Sequence, residues 1–183
     1  MLTTRRLFVG IPLSARLRKR LSSEMTRFES LPIIPTRTDN VHITLIFLGF
    51  VNEEEIPNIV NALEDVALDF SPFEIDLSEI RAEPNNEHPT MIWFAGEASE
   101  TLVELRNAIA TALAYLTPAS KTFRPHVTLA KIRRGKYEAL ETKPEITKPF
   151  HVIEPVDAIV LFESTTLDGK RAYLPLAEFP LGT

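Results

Sequence analysis

Cysteine is absent from the 183-residue chain. That removes disulfides, thiolate nucleophiles and cysteine-type zinc sites together, and with it comes the expectation of a reducing, cytoplasmic setting. Glycine is scarce, at six residues. None of them falls in a G-x-x-x-x-G-K-[ST] run, so the phosphate loop of an ATP-dependent ligase or kinase is missing. No apolar stretch approaches the roughly 20 residues that span a bilayer. Arg5 and Arg6 before the apolar run Leu7 to Leu13 outline a secretory leader only superficially. Pro12 interrupts the run, and Arg16, Arg18, Lys19 and Arg20 follow without a small-residue cleavage site, so we expect a first strand leading into a helix. An excess of positive charge is lacking too. A net charge of -5 and a pI near 5.5 argue against coating nucleic acid by bulk electrostatics, while leaving room for a local cluster of donors around a small anion.

What is present is an ordinary globular chain, large enough for one well-packed domain or two small lobes sharing a core. Its 14 prolines imply many short elements separated by rigid turns. Leu7 to Ile11 reads as a buried strand. Ser14 is a plausible N-cap for a helix carrying Leu13, Leu17, Leu21, Met25 and Phe28 on one face. Val41 to Leu48 is a second strand, closed by Gly49. A helix lies within Asn52 to Leu68, its start blurred by Pro57. Phe73, Ile75 and Leu77 alternate with polar residues as in a half-buried strand, and Thr90 to Ala95 is another. Ser99 to Leu116 forms the clearest helix, ended by Pro118. Strand-like runs at Phe123 to Ile132, Val156 to Glu163 and Arg171 to Leu176 follow, the last two joined by a hairpin turn over Leu167 to Lys170. The mixed order favours an α+β protein with largely antiparallel sheets.

Two segments match: His42-Ile43-Thr44-Leu45 and His126-Val127-Thr128-Leu129. The chain holds only four histidines, and two of them head this pattern, each followed within a few residues by a turn signal, Gly49 or Gly135. An internal duplication into two similar lobes explains the repetition. Alternation along a strand puts the imidazole and the hydroxyl of His-x-Thr on one face. Side by side about a pseudo-twofold axis, the two strands would offer two imidazoles and two hydroxyls. One imidazole can take a proton from attacking water and the other can give one to a departing ribose oxygen. The hydroxyls can donate to non-bridging phosphate oxygens as charge builds. Threonine in the second slot is a poor metal ligand, so a metallohydrolase fits worse. His88, in the Pro84 to Pro89 stretch, and His151, without a partner motif, read as loop or surface residues.

At these residues the chain closely resembles the 2H phosphoesterase superfamily, and within it the RNA 2′,3′-cyclic phosphodiesterase family, also called 2′-5′ RNA ligases. The resemblance runs from Arg6-Leu7-Phe8-Val9-Gly10-Ile11-Pro12 through Asp39-Asn40-Val41-His42-Ile43-Thr44-Leu45 and Phe47-Leu48-Gly49. It continues in Ile92-Trp93, in Phe123-Arg124-Pro125-His126-Val127-Thr128-Leu129-Ala130 and in the ending Leu161-Phe162-Glu163-Ser164, Gly169 and Tyr173-Leu174-Pro175-Leu176.

The resemblance implies a single bilobal α+β domain over residues 1–183, with mainly antiparallel sheets flanked by helices, pseudo-symmetric lobes and a groove between them. It implies hydrolysis of an RNA terminal 2′,3′-cyclic phosphate to a 2′-phosphate, with no cofactor and no metal. A reversible, ATP-independent 2′-5′ joining of RNA ends comes with it. The expected partners are RNA ends, tRNA fragments among them, or cyclic nucleotides; no membrane is expected, and the chain is expected to be a monomer. His42 and His126 are the implied catalytic pair, tilted toward His126 as base and His42 as acid, with Thr44 and Thr128 on the substrate. One departure stands out. Family members usually carry arginine five residues after the second histidine, where this chain has Lys131, which keeps the charge but loses the bidentate fork. Strict alternation turns Lys131 away from His126 unless the strand bends, which leaves Arg133 and Arg134 as substitutes. The competing reading is a binding module that holds a nucleotide in the same groove without turnover.

Overall fold

The computed structural model describes residues 3–116 and 123–182. The leader-like N-terminus is a strand, β1 (Thr4–Pro12), and the chain turns directly into helix α1 (Ala15–Met25). Ser14 caps that helix, its Oγ accepting from the Leu17 amide at 3.1 Å. After a 3₁₀ turn holding Phe28 come a short strand β2 (Ile33–Pro35), a second 3₁₀ turn (Thr38–Asn40) and the long β3 (His42–Asn52). Helix α2 (Ile56–Leu68) carries Pro57 in its first turn, where no backbone donor is lost. Strands β4 (Phe73–Glu83) and β5 (Met91–Ala95) precede helix α3 (Glu100–Ala112), which Ser99 caps through the Leu102 amide. The second matching segment opens β6 (His126–Ile132). The one-turn α4 (Arg134–Glu138) and strands β7 (Lys148–Val156), β8 (Ala158–Leu167) and β9 (Lys170–Pro180) complete the described chain.

All the strands join one sheet in the order β7-β4-β5-β6-β3-β1-β8-β9, with β2 added beside β6, and every pairing is antiparallel. The α+β expectation therefore holds. The sheet has two halves, each built around one matching segment. They meet where β3 pairs β6 at Ile43 and Val127 alone, and from there the two strands splay apart. The apolar stripes of α1 (Leu17, Leu21), α2 (Ile59, Leu63, Ala67) and α3 (Leu102, Leu105, Ile109) share one core with Ile43, Leu45, Val127 and Leu129. Helices thus cover the face of β3 and β6 opposite the histidines, and the other face is left open as a cleft.

Several details differ from the sequence expectation. Gly49 does not end β3; it sits within it at φ +75°, beside a register shift that makes Leu48 the extra residue of a bulge against β1. Gly135 lies in α4 rather than in a turn. Strands β2 and β7 carry few long apolar runs and escaped the pattern reading. The Leu167 to Lys170 hairpin is as expected, with Asp168 at φ 49° and Gly169 at φ 72°, the pair of left-handed residues that a tight two-residue turn needs. Strand β6 begins at His126, later than Phe123, because Pro125 removes a backbone donor just ahead of it. Helix α3 gives way at Leu113 to a turn, and Pro118, expected to end it, lies outside the described residues.

Candidate active site

His42 and His126 each stand first on their strands, and the alternation from there places His42 and Thr44, and His126 and Thr128, on the cleft face while Ile43 and Val127 are fully buried beneath. Both strands then break the alternation at the same place. Against β1, β3 pairs Thr44 with Gly10 and Ile46 with Val9, leaving Leu45 as an extra residue. Against β5, β6 pairs Thr128 with Trp93 and Ala130 with Ile92, leaving Leu129 extra. A bulge resets which face a side chain points to. Hence the residue five beyond each histidine returns to the cleft: Lys131 on one side and Phe47 on the other. The bend that Lys131 needed exists. The two segments repeat not only in letters but in burial, residue by residue over seven positions.

One cavity of about 340 Å³ is lined by His42, Thr44, His126, Thr128 and Lys131 together, so all five residues singled out from the sequence share one space. Arg133 and Arg134 do not line it; Arg134 pairs with Glu138 at 2.7 Å on α4. His88 is exposed on its loop, and His151 lies on β7 with Nε2 2.8 Å from Asp76, both away from the cleft. A larger cavity, about 500 Å³, lies between α1 and the β2–β3 connection and holds no histidine. Among the described residues no group of three or more His, Cys, Asp or Glu is placed to hold a metal ion.

The imidazoles are fixed in the same way. His42 Nδ1 lies 2.7 Å from the Asn40 carbonyl, and His126 Nδ1 lies 2.8 Å from the Arg124 carbonyl. A carbonyl only accepts, so each Nδ1 carries a hydrogen and donates it. In the neutral ring Nε2 is then the basic nitrogen. On His42 that nitrogen is 2.9 Å from Thr44 Oγ1, whose hydroxyl donates to the neutral ring. Asn40 is itself tied to β9, donating to the Arg171 carbonyl at 2.8 Å and accepting from the Tyr173 amide at 3.1 Å. Burial lowers the pKa of both histidines. The carbonyl bonds raise them in part, the neighbouring His126 lowers His42 further, and Arg124 and Arg81 oppose Glu83 at His126.

Around these rings the cleft is aromatic and cationic. His42 packs on Phe8 at 4.8 Å between centroids and edge-on to Tyr173 at 5.1 Å. His126 stacks on Trp93 at 3.6 Å and 14° between planes. Arg6, Arg171 and Ser164 join the lining, and Phe47 stands 65% exposed on it. Reading the motifs alone missed Phe47, Arg6, Arg171 and Tyr173. Phe47 carried a signal, because it stands as far from His42 as Lys131 does from His126. Arg6, Arg171 and Tyr173 carried none, being brought in by strand pairing across the sheet.

A family model described as the 2′-5′ RNA ligase superfamily matches residues 11–164. The chain is 28% identical over 138 residues to an RNA 2′,3′-cyclic phosphodiesterase of Archaeoglobus fulgidus, covering 74% of this chain and 77% of that one. It is 29% identical over 182 residues to an RNA 2′,3′-cyclic phosphodiesterase of Methanocaldococcus jannaschii, covering 95% and 99%. Among solved structures, that of TT0787 of Thermus thermophilus superposes with a TM-score of 0.82 at 25% identity, covering 96% of this chain and 97% of that one.

Proposed function

Because the chain belongs to the 2′-5′ RNA ligase superfamily of two-histidine phosphoesterases, we propose that it hydrolyses the 2′,3′-cyclic phosphate at an RNA end to a 2′-phosphate. The observation that carries this reading is the paired geometry of the rings. Both rings line one shared cavity, and in each Nδ1 is held by a carbonyl two residues upstream, which leaves Nε2 as the nitrogen available for proton transfer. Phosphorus bound there has a proton acceptor on one side and a proton donor on the other.

In this reading water attacks phosphorus while His126 Nε2 takes its proton. The bond from phosphorus to O3′ breaks, and protonated His42 gives its Nε2 hydrogen to the departing O3′, leaving a 2′-phosphate and a free 3′-hydroxyl. Thr44 and Thr128 donate to the non-bridging oxygens, and Lys131 offsets their charge. When His42 is protonated, Nε2 becomes a donor and Thr44 no longer needs to donate to it, which frees the hydroxyl for phosphate. Phe47 offers an apolar face at the rim against which a base can lie. With an RNA 5′-hydroxyl in place of water the same steps form a 2′-5′ linkage without ATP. We read the whole chain, 1–183, as one bilobal domain acting as a monomer in the cytoplasm on RNA ends such as tRNA fragments.

The test is product analysis on an oligonucleotide ending in a 2′,3′-cyclic phosphate, after exhaustive chelation. A 2′-phosphate is expected. His42→Ala and His126→Ala should each lower turnover by about 10²-fold or more with the circular dichroism spectrum unchanged. A 3′-phosphate product would reverse the assignment of the leaving oxygen. Binding of the cyclic end without turnover by the unmodified chain would make the cleft a binding site only.

A further inference from the structure

The two histidines share the carbonyl bond at Nδ1 but not their backing. His42 meets its aromatic neighbours at a tilt or edge-on, whereas His126 lies nearly parallel on the Trp93 indole, centroids 3.6 Å apart. Trp93 comes from β5, opposite Thr128 in register and beside the bulge at Leu129. Its indole nitrogen is buried without a hydrogen-bond partner among the described residues. An unpartnered buried N–H is unfavourable, and phenylalanine at this position would avoid it. Tryptophan is therefore not explained here by its polar handle. What it supplies is the broadest and most electron-rich ring face in the amino-acid set.

We infer that Trp93 is a positioning residue for His126: its face fixes the plane of the imidazole and stabilises the imidazolium formed as the ring takes the proton of attacking water. The role rests on reading His126 as the general base. One edge of the ring is pinned by the Arg124 carbonyl, and the plate removes the remaining freedom to rotate, leaving the Nε2 edge directed to the cleft. As charge develops on the ring, the negative π face beneath it favours the charged form. That matters because the charged neighbours do not favour it overall. Arg124 from the chain just before β6 and Arg81 from β4 oppose the charge, Glu83 from β4 supports it, and His42 from β3 and Lys131 further along β6 share the cleft. The Arg124 guanidinium also lies 5.2 Å from the same indole.

Trp93 is the only tryptophan in the chain, so the stack has its own optical readout. An imidazolium in contact with an excited indole accepts its electron and quenches it, and a neutral imidazole does so far less. In the unmodified protein, emission should fall as pH drops through the same interval as the limb of kcat/KM that follows His126. His126→Asn should abolish that step and His42→Asn should keep it. Trp93→Leu keeps the site apolar but removes the π face. It should lower kcat about tenfold with KM within about twofold, and move the limb that follows His126 down by about half a pH unit. Trp93→Phe should restore the limb and much of kcat. Flat emission across that limb, or a folded Trp93→Leu protein with unchanged kcat and limb, overturns the role. If Trp93→Leu does not fold, the emission titration decides alone. That titration uses no substrate, so a chain that turned over no cyclic phosphate yet showed the His126 step would count against the proposed reaction and not against the stack.

Discussion

The two imidazoles differ from free histidine in one shared direction, and that sets a pH dependence. Burial, the largest cause at both, depresses their pKa, so both lie below the ordinary value of about 6.5. The base must be neutral, and its activity is lost as pH falls through the His126 pKa. The acid must be protonated, and its activity is lost as pH rises through the His42 pKa. With both values lowered, the bell of kcat/KM for the free enzyme should peak below about pH 6.5. Rates on a 2′,3′-cyclic mononucleotide over the acid and neutral range measure it, and a maximum well above neutrality would contradict the burial of these rings. A second residue-scale consequence comes from β1. A Cβ on Gly10 would stand 2.8 Å from the Ile43 carbonyl oxygen and 3.3 Å from His42 Cδ2. Gly10→Ala should therefore displace His42 as β1 shifts. We expect kcat to fall several-fold and stability to drop by about 1–3 kcal/mol, measured by turnover and by urea unfolding of the same preparation.

Strand and helix identities were legible wherever apolar spacing was regular. The Leu17 and Leu21 stripe, the Leu102 to Ile109 stripe and the Asp168-Gly169 turn all stand where their patterns put them. The bulges at Leu45 and Leu129 were not legible, because a bulge is set by the register of the partner strand and leaves no mark in its own letters. They decide the site nonetheless. Lys131 reads as facing away from His126 by alternation and faces the cleft because of one extra residue. A different long-range link holds α1. The helix has no acidic residue in its first turn, and the carboxylate at its N-terminus comes instead from Glu154 on β7, accepting from the amide and the hydroxyl of Ser14. Glu154 is only 3% exposed. Glu154→Ala would leave the half-buried Ser14 donors without their acceptor and remove the anion facing the helix dipole. The expected loss is about 1–3 kcal/mol by urea unfolding, and Glu154→Gln, which keeps one acceptor, should lose less. Equal losses would mean that the link needs both carboxylate oxygens and their charge, and that the single acceptor and the packing that glutamine keeps do not hold the helix.

At the scale of the whole molecule, charge is arranged against the average. The chain carries a net charge of -5, yet among the described residues the cleft lining holds Arg6, Lys131 and Arg171 and no acidic side chain. The duplication seen in the two His-x-Thr segments foreshadowed the paired halves of the sheet; the cations from β1 and β9 could not be assigned to the cleft until the strand order put those edges beside it. An acidic body with a small basic cleft should grip the RNA end and little of the RNA beyond it. Counter-ion release scales with the number of phosphates neutralised, at about 0.7 per phosphate for a single strand. For an oligonucleotide substrate, log KM against log salt should therefore rise with a slope of roughly 0.7 to 2, the mark of one to three phosphates. Lys131→Ala should reduce that slope by up to about 0.7 and raise KM at low salt more than at high salt. A slope of about 4 or more would correspond to six or so phosphates, and would require a basic track along the body of the protein that its overall charge opposes.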